Sequence, residues 1–294
     1  MNLTDFIVKT FVIVDDFCKK HAQARKLRSR GFLPKLADSE VITMEIVGEY
    51  LGYHRDKDIY QYFKRHWQSF FPQMPDRSNF VRQAANLWKV KEMLFVYLNN
   101  HQSHWLEILD SMPMEVCKFV RAKRTNLFKG SAAYGKWFGR TYFGYRLHLK
   151  MTTLGMIKRA ILAPASIHDI HFVQDLLEGD HHCWVLADKG YRSQPLQKRL
   201  WQGSRIYFHT PFRRNEKISS PLPKATTKAL NGKRRLIETV NGQLTEQFSI
   251  KSTWARDLWH LLNRIIRKIV AHTLCVFLNL KLHRDPLKLK SLVS

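Results

Sequence analysis

The first hundred residues carry apolar side chains at the three- and four-residue spacings of amphipathic helices. Asp38 or Ser39 can cap a helix that begins near residue 40. Pro72 and Pro75 interrupt the pattern before a later helix begins at Ser78. The pattern predicts helices at residues 6–18, 40–51, 56–67 and 78–88.

Beyond residue 104 the hydrophobic period shortens to two. Between 141 and 151, Tyr145, Leu147 and Leu149 fall on one face of a predicted strand, with Arg146 and His148 on the other. Further strands are predicted at 105–109, 157–163, 183–187 and 206–208. Helices are predicted at 172–177, 194–201, 234–248 and 254–282, with a polar loop at 219–232. Strands followed by alternating helices and strands predict a mixed α/β fold.

Positive charge is concentrated in the later part of the chain. The sequence carries 49 Lys and Arg against 24 Asp and Glu, a formal net charge of +25. Residues 101–294 hold 33 of the basic residues and 13 of the acids, and residues 116–167 hold 11 basic residues and no acid. A solvated face normally mixes both signs, so this depletion indicates a polyanionic partner. Nucleic acid is favoured over an anionic membrane surface.

Cysteine usage and hydropathy limit the class of protein. The four cysteines stand far apart without a CxxC pair, which predicts a reduced cytoplasmic protein and no structural zinc site. Lys9 interrupts the apolar stretch 6–14, which has neither a basic start nor a cleavage site, so no signal peptide is expected. No apolar run is long enough for a membrane span, and no membrane partner is expected.

Three acids stand out in this basic part of the chain. Asp110 ends the first predicted strand, Asp188 ends the buried run 183–187, and Glu238 follows a basic cluster on a predicted helix. Ligand sites in α/β sheets gather outside such strand ends. Taken singly, each of these acids could have a purely structural role, in an ion pair or as a helix cap. Together the three supply a charge of about −3, which suits two divalent cations such as Mg²⁺.

Several motifs around these acids are similar to one family. Asp188-Lys189-Gly190-Tyr191 follows an apolar strand, and three residues separate Arg234 from Glu238. The runs at 142–149 and 165–169 are similar as well. Over residues 36–280 the chain resembles the DDE transposases of prokaryotic insertion sequences, and among them the insertion-sequence 982 group.

The resemblance implies an RNase H-like catalytic domain. Asp110, Asp188 and Glu238 would be both its catalytic and its metal-binding residues, and would hold two Mg²⁺ ions, which Mn²⁺ can replace. Many relatives carry a Tyr three residues before the Arg and a Lys seven residues after the Glu. This chain has Asn231 and Thr245 there, which leaves the phosphate contacts of that helix open.

Basic residues near these motifs are expected to neutralise DNA phosphates without reading sequence. Lys251 is the candidate substitute for the missing family Lys. The predicted DNA-binding residues are Arg121, Lys123, Arg124, Lys129, Lys189, Arg213, Arg214, Arg234, Arg235 and Lys251.

The predicted organisation has three parts. Residues 1–100 form a helical region for DNA binding or dimerisation, and its short helices also suit a helix-turn-helix-like unit. Residues 101–252 form the catalytic domain, and 253–294 form an amphipathic helix that packs on it. The expected partner is double-stranded DNA, as element ends and as target, bound by a homodimer at the prokaryotic nucleoid.

The resemblance implies a transposase. Water attacks a phosphodiester at the end of the element, and the freed 3′-hydroxyl then attacks target DNA in an in-line transesterification. Two alternatives stay open. One is a structure-specific, metal-dependent nuclease that joins nothing, and the other is a non-catalytic DNA-binding protein such as a regulator or a decayed transposase. Strand-transfer products would distinguish the transposase from the nuclease. Cleavage with Mg²⁺ or Mn²⁺ would distinguish both enzymes from the non-catalytic DNA-binding protein.

Overall fold

The structure, a computed structural model, describes residues 1–21, 33–99, 104–212 and 223–293. The chain divides into two compact units. The first contains Met1–Asn100 and Gln243–Ser294, and the second contains His101–Gly242. None of the helices in the described ranges combines the length and the hydropathy that a transmembrane span requires.

The described residues of the first unit form helices. Capping side chains fix several helix starts, because Asn2 accepts from the Asp5 N–H at 2.7 Å and Asp76 accepts from the Asn79 N–H at 2.9 Å. The helices are α1 (Leu3–Lys20), α2 (Asp38–Tyr50), α3 (Asp56–His66), α4 (Arg77–Asn86), α5 (Trp88–Asn99) and, at the end of the chain, α10 (Leu258–Lys281). The stretch predicted as one helix at 78–88 is thus the first of a pair, α4 and α5.

The long C-terminal helix α10 belongs to the first unit. It packs against α2, α4 and α5, with buried residues such as Leu261, Ile265 and Ile269 on its apolar face. The structure groups this helix with the N-terminal helices, whereas the sequence analysis treated residues 253–294 as a separate part. The apolar stripe in the sequence showed that the helix is buried but could not show against what.

A network of buried charges also holds α10 to the other helices. The fully buried Arg267 guanidinium contacts Glu45 at 3.3 Å, Glu49 at 2.6 Å and Asp56. Lys268 adds a contact to Glu49 at 2.7 Å. These opposite charges compensate one another, which is the condition for burying them.

The second unit is built on a six-stranded mixed sheet. Its strands are β1 (Leu106–Cys117), β2 (Ala133–Trp137), β3 (Arg140–Thr152), β4 (Ile157–Pro164), β5 (Trp184–Leu186) and β6 (Tyr207–His209). The order is β2-β3-β1-β5-β6, and β4 pairs with β3. Pairs among β1 to β4 are antiparallel, whereas β1, β5 and β6 run parallel. Its helices are α6 (Val173–Leu176), α7 (Gln194–Ser204), α8 (Lys224–Arg234) and α9 (Leu236–Glu246), which crosses the boundary between the units.

A glycine fixes the close pairing of β1 and β3. A Cβ at Gly144 would lie 2.1 Å from the Met114 carbonyl oxygen, and the φ of Gly144 is +156°. No other residue fits there without moving the backbone. The register irregularity between Glu115 and Cys117 lies beside it.

Two predicted boundaries are wrong. The first strand continues from Asp110 to Cys117, because it pairs with β3 along this whole length. Part of the predicted loop at 219–232 is helix α8, whose polar sequence has no apolar stripe to reveal it. Residues 213–222 lie outside the described residues.

Candidate active site

Asp110 and Asp188 stand at one level of the central sheet. The parallel strands β1 and β5 pair Ile108 with Leu186, and each aspartate lies two positions beyond that pair. Asp188 follows the end of β5, as predicted from the buried run. Asp110, in contrast, lies inside β1 opposite Leu149, not at the strand end that the sequence predicted.

The environment of Asp110 disfavours a negative charge. Burial raises the pKa of Asp110 to about 6, and the charges of Asp188 and Asp169 act in the same direction. The Ser111 backbone N–H and the Arg234 guanidinium oppose them only in part. The surroundings are therefore short of positive charge, and a bound cation would supply it.

The last residue of α8, Arg234, and helix α9 bring two polar groups to the aspartates. Asn241 donates from Nδ2 to Asp110 Oδ2 at 3.0 Å, and Arg234 Nη1 lies 3.7 Å from Asp188 Oδ1. The buried Ile237 and Val240 anchor this helix, and Asn241 follows directly on Val240. The sequence prediction assigned Arg234 to DNA and did not single out Asn241.

Glu238 occupies an exposed position in the first turn of α9. It precedes Asn241 by three residues, a spacing that places both on one side of the helix. Within the described ranges, no three His, Cys, Asp or Glu side chains are gathered closely enough to hold a metal ion. The structure thus brings Asp110 and Asp188 together and leaves Glu238 outside that pair.

A second polar cluster supports β1 from the opposite face of the sheet. Ser111 Oγ donates to Asp169 Oδ2 at 3.1 Å, and Arg146 Nη1 donates to Asp169 Oδ1 at 2.5 Å. Side chains alternate between faces along a strand, so Ser111 points away from the side that Asp110 occupies. The sequence analysis did not give Asp169 a role, although the similar run at 165–169 contains it.

His148 and Tyr191 extend this cluster toward the short turn that follows Asp188. Burial lowers the pKa of His148 to about 4, so its imidazole is neutral at pH 7. Its Nδ1 lies 3.3 Å from the hydroxyl of the buried Tyr191. Tyr191 closes the short turn Lys189–Tyr191 that follows Asp188, so its packing fixes where that carboxylate stands.

The predicted DNA-binding residues lie in several parts of the chain. Those at 121, 123, 124, 129, 189 and 235 are exposed in the second unit, and Arg234 is partly buried near Asp188. Lys251 is exposed in the first unit. Arg213 and Arg214 fall outside the described residues.

One comparison with known proteins identifies the domain. The family model described as "Transposase DDE domain" matches residues 100–258, which is more than half of the chain. No curated protein and no solved structure gives a significant match. Transposases of this family act on DNA and generally use divalent metal ions. The chain therefore belongs to the family of transposases with a DDE domain.

Proposed function

We propose that the protein is the transposase of a prokaryotic insertion sequence, related to the insertion-sequence 982 group. It cleaves DNA at the ends of the element and joins the freed 3′-hydroxyl to target DNA by transesterification. The observation that carries the proposal is the pair Asp110 and Asp188, which stand at one level of parallel strands within the matched domain.

The catalytic domain is proposed to be RNase H-like. Three observations support this: the antiparallel strands come first, parallel strands follow on one side of β1, and helices come between and after β5 and β6. The central strands β1 and β5 are rigid elements of such a sheet. They can hold two acids at the fixed separation that a catalytic site requires.

Asp110, Asp188 and Glu238 are proposed to hold two Mg²⁺ ions, which Mn²⁺ can replace. The donor set fits a hard divalent cation, since all ligands are carboxylate oxygens. The raised pKa of Asp110 fits as well, because a cation would compensate the negative charge that burial and the charge of Asp188 disfavour. When bound, such ions stabilise charge on the attacking and departing oxygens of a phosphodiester. Glu238 would complete the set from the first turn of α9.

Neighbouring side chains of the chain itself are proposed to orient this site. Asn241 fixes the Oδ2 atom of Asp110, and the partly buried Ser111–Asp169–Arg146 cluster fixes the strand next to it. Arg234, whose guanidinium lies 3.7 Å from Asp188, is proposed to neutralise a phosphate that approaches the pair.

The exposed basic residues of the second unit are proposed to hold double-stranded DNA through its phosphates. Arg121, Lys123, Arg124 and Lys129 lie in a stretch of 52 residues, 116–167, that has no acid. Such contacts contribute affinity and position rather than sequence recognition. A homodimer at the nucleoid that pairs two element ends completes the proposal.

A strand-transfer assay tests this function. Linear DNA with the element's terminal sequence is incubated with a supercoiled target plasmid, Mg²⁺ and the full-length protein. Joined products are the expected result. Nicks or cuts without joining would favour the nuclease alternative, and DNA binding without cleavage in Mg²⁺ or Mn²⁺ would favour the non-catalytic one.

A further inference from the structure

A cleft of about 780 Å³ lies in the first unit, apart from the residues assigned to catalysis. Its walls are the start of α3, one side of α4 along its whole length, the loop before α10 and the first turns of α10. A space of this volume accepts one or two nucleotides or a small molecule and is too small for a DNA duplex.

Positive charge dominates the lining of this cleft. Its exposed basic residues are Arg55, Lys57, Arg77 and Arg82. None of these four forms an ion pair with a residue in the described part of the chain. The lining carboxylate, Asp56, is already compensated by Arg264 at 2.9 Å and by Arg267. The cleft therefore attracts an anion.

Two exposed tryptophans add flat apolar surfaces. Trp254 and Trp259 line the cleft with 53% and 46% of their surfaces exposed. The Arg55 guanidinium lies 4.8 Å from the centre of the Trp254 ring. Trp254 also has a φ of +49°, a strained conformation for a bulky residue. Strain of this kind persists where the surrounding structure imposes it, commonly at binding sites.

Partly buried hydrogen bonds hold the two walls in place. Arg264 donates from Nη1 to the Thr253 carbonyl at 2.8 Å and from Nη2 to Asp56 Oδ2 at 2.9 Å. It therefore links the loop that carries Trp254 to the start of α3. Arg267 donates to the His54 carbonyl at 3.0 Å on the same wall. A ligand would meet a formed site, which lowers the entropic cost of binding.

We propose that this cleft binds an unpaired segment of DNA. Its bases stack on Trp254 and Trp259, and its phosphates contact the four exposed basic side chains. Basic grooves with aromatic platforms bind single strands, whose bases are free to stack. The choice of DNA as the ligand rests on the proposed function, whereas the preference for an unpaired strand rests on the cleft itself.

Fluorescence anisotropy with a labelled oligothymidylate of about 12 nucleotides tests the proposal. The full-length protein is used in EDTA, so that binding is read without cleavage. Trp254→Ala should weaken single-strand binding by about fivefold or more, and Trp254→Phe should restore most of it. The double variant Arg77→Gln/Arg82→Gln should lower the slope of log K against log salt by about 1.4.

The variant Lys64→Gln/Arg65→Gln is the matched control. It removes two exposed positive charges of the same unit outside the cleft. It should leave single-strand affinity within about twofold of the parent. Equal losses in both double variants, or an unchanged affinity of a folded Trp254→Ala protein, would overturn the proposal. The binding assay is run in EDTA and does not depend on cleavage. A protein that fails to cleave DNA in a separate assay would therefore contradict the proposed function without affecting the single-strand binding result.

Discussion

Asp110, inside β1, and Asp188, just after the end of the parallel strand β5, each stand two residues beyond the paired Ile108 and Leu186. This register forces two like charges together at the centre of the sheet. Burial, with smaller contributions from the charges of Asp188 and Asp169, raises the pKa of Asp110 to about 6. A cation bound near the pair would favour the charged form of Asp110.

The first prediction concerns the pH dependence of stability. The pKa of Asp110 is about 6 in the folded chain and about 3.9 for an unfolded Asp. Its contribution to stability is therefore fully present below about pH 4 and is lost as pH rises through 6. Asp110→Asn removes this titration, so its free energy of unfolding should exceed that of the parent by up to about 3 kcal/mol at pH 7.5 and by little at pH 4.

Thermal unfolding at the two pH values measures this difference. Mg²⁺ added at pH 7.5 should raise the Tm of the parent and leave the Tm of Asp110→Asn nearly unchanged. The exposed Asp175 provides the control, because Asp175→Asn should follow the parent throughout. A stability gap that is the same at pH 4 and 7.5 would show that Asp110 is not the titrating group.

The second prediction concerns Asn241. Asn241→Ala removes the donor that contacts Asp110 Oδ2 at 3.0 Å. Loss of a group that orients a metal ligand typically costs about 10- to 100-fold in metal affinity or activity. Cleavage rates at a series of Mg²⁺ concentrations should show this loss, while DNA affinity in EDTA stays unchanged. The exposed Asn231 gives the matched control Asn231→Ala, and equal activity in both variants would remove the orienting role.

The sequence was a better guide to which residues belong to the candidate site than to where those residues lie in the fold. Asp188 could be found because it follows a buried run, a pattern that marks the end of a central strand. Asp110 could be found as an acid in an apolar stretch, but its place inside β1 depends on pairing with β3, which is not local information. Asn241 could have been found, since it lies three residues after Glu238. Arg146 and Asp169 could not, because their pairing joins residues 23 positions apart.

The fold was predictable where periodicity was strong. The alternation at 141–151 matches β3 (Arg140–Thr152), and the stripe at 254–282 matches α10 (Leu258–Lys281). The buried charges of the first unit could not be predicted. Glu45 and Glu49 resemble surface residues in the sequence, and their burial depends on tertiary pairing with Lys91, Arg267 and Lys268.

The third prediction concerns Asp169. Asp169→Asn would leave the Arg146 guanidinium, with 12% of its side chain exposed, without its charged partner. The expected loss in free energy of unfolding is about 2–4 kcal/mol, and cleavage should fall because β1 is less firmly held. Urea denaturation and cleavage rates are the measurements. In Asp175→Asn, whose exposed side chain lies outside this cluster, both should stay at parental values. An Asp169→Asn protein with parental stability and cleavage would show that the cluster is dispensable.

The fourth prediction concerns the buried network in the first unit. Arg267→Leu would leave Glu45, Glu49 and Asp56 without their shared partner. The free energy of unfolding should fall by about 3–5 kcal/mol at pH 7.

Urea denaturation gives the value. Lys89→Gln, which breaks an exposed pair of 2.6 Å with Glu92, should cost less than about 1 kcal/mol. If the two substitutions cost the same, the buried charges do not hold α10 in place.

The proposed triad is tested most directly by metal-dependent cleavage of a plasmid that carries the element's ends. The parent protein and Asp175→Asn should cut it in Mg²⁺, whereas Asp188→Asn and Glu238→Gln should be slower by about 10³-fold or more, with DNA binding in EDTA retained. Cleavage by Asp188→Asn at the parental rate would contradict the assignment of the active site.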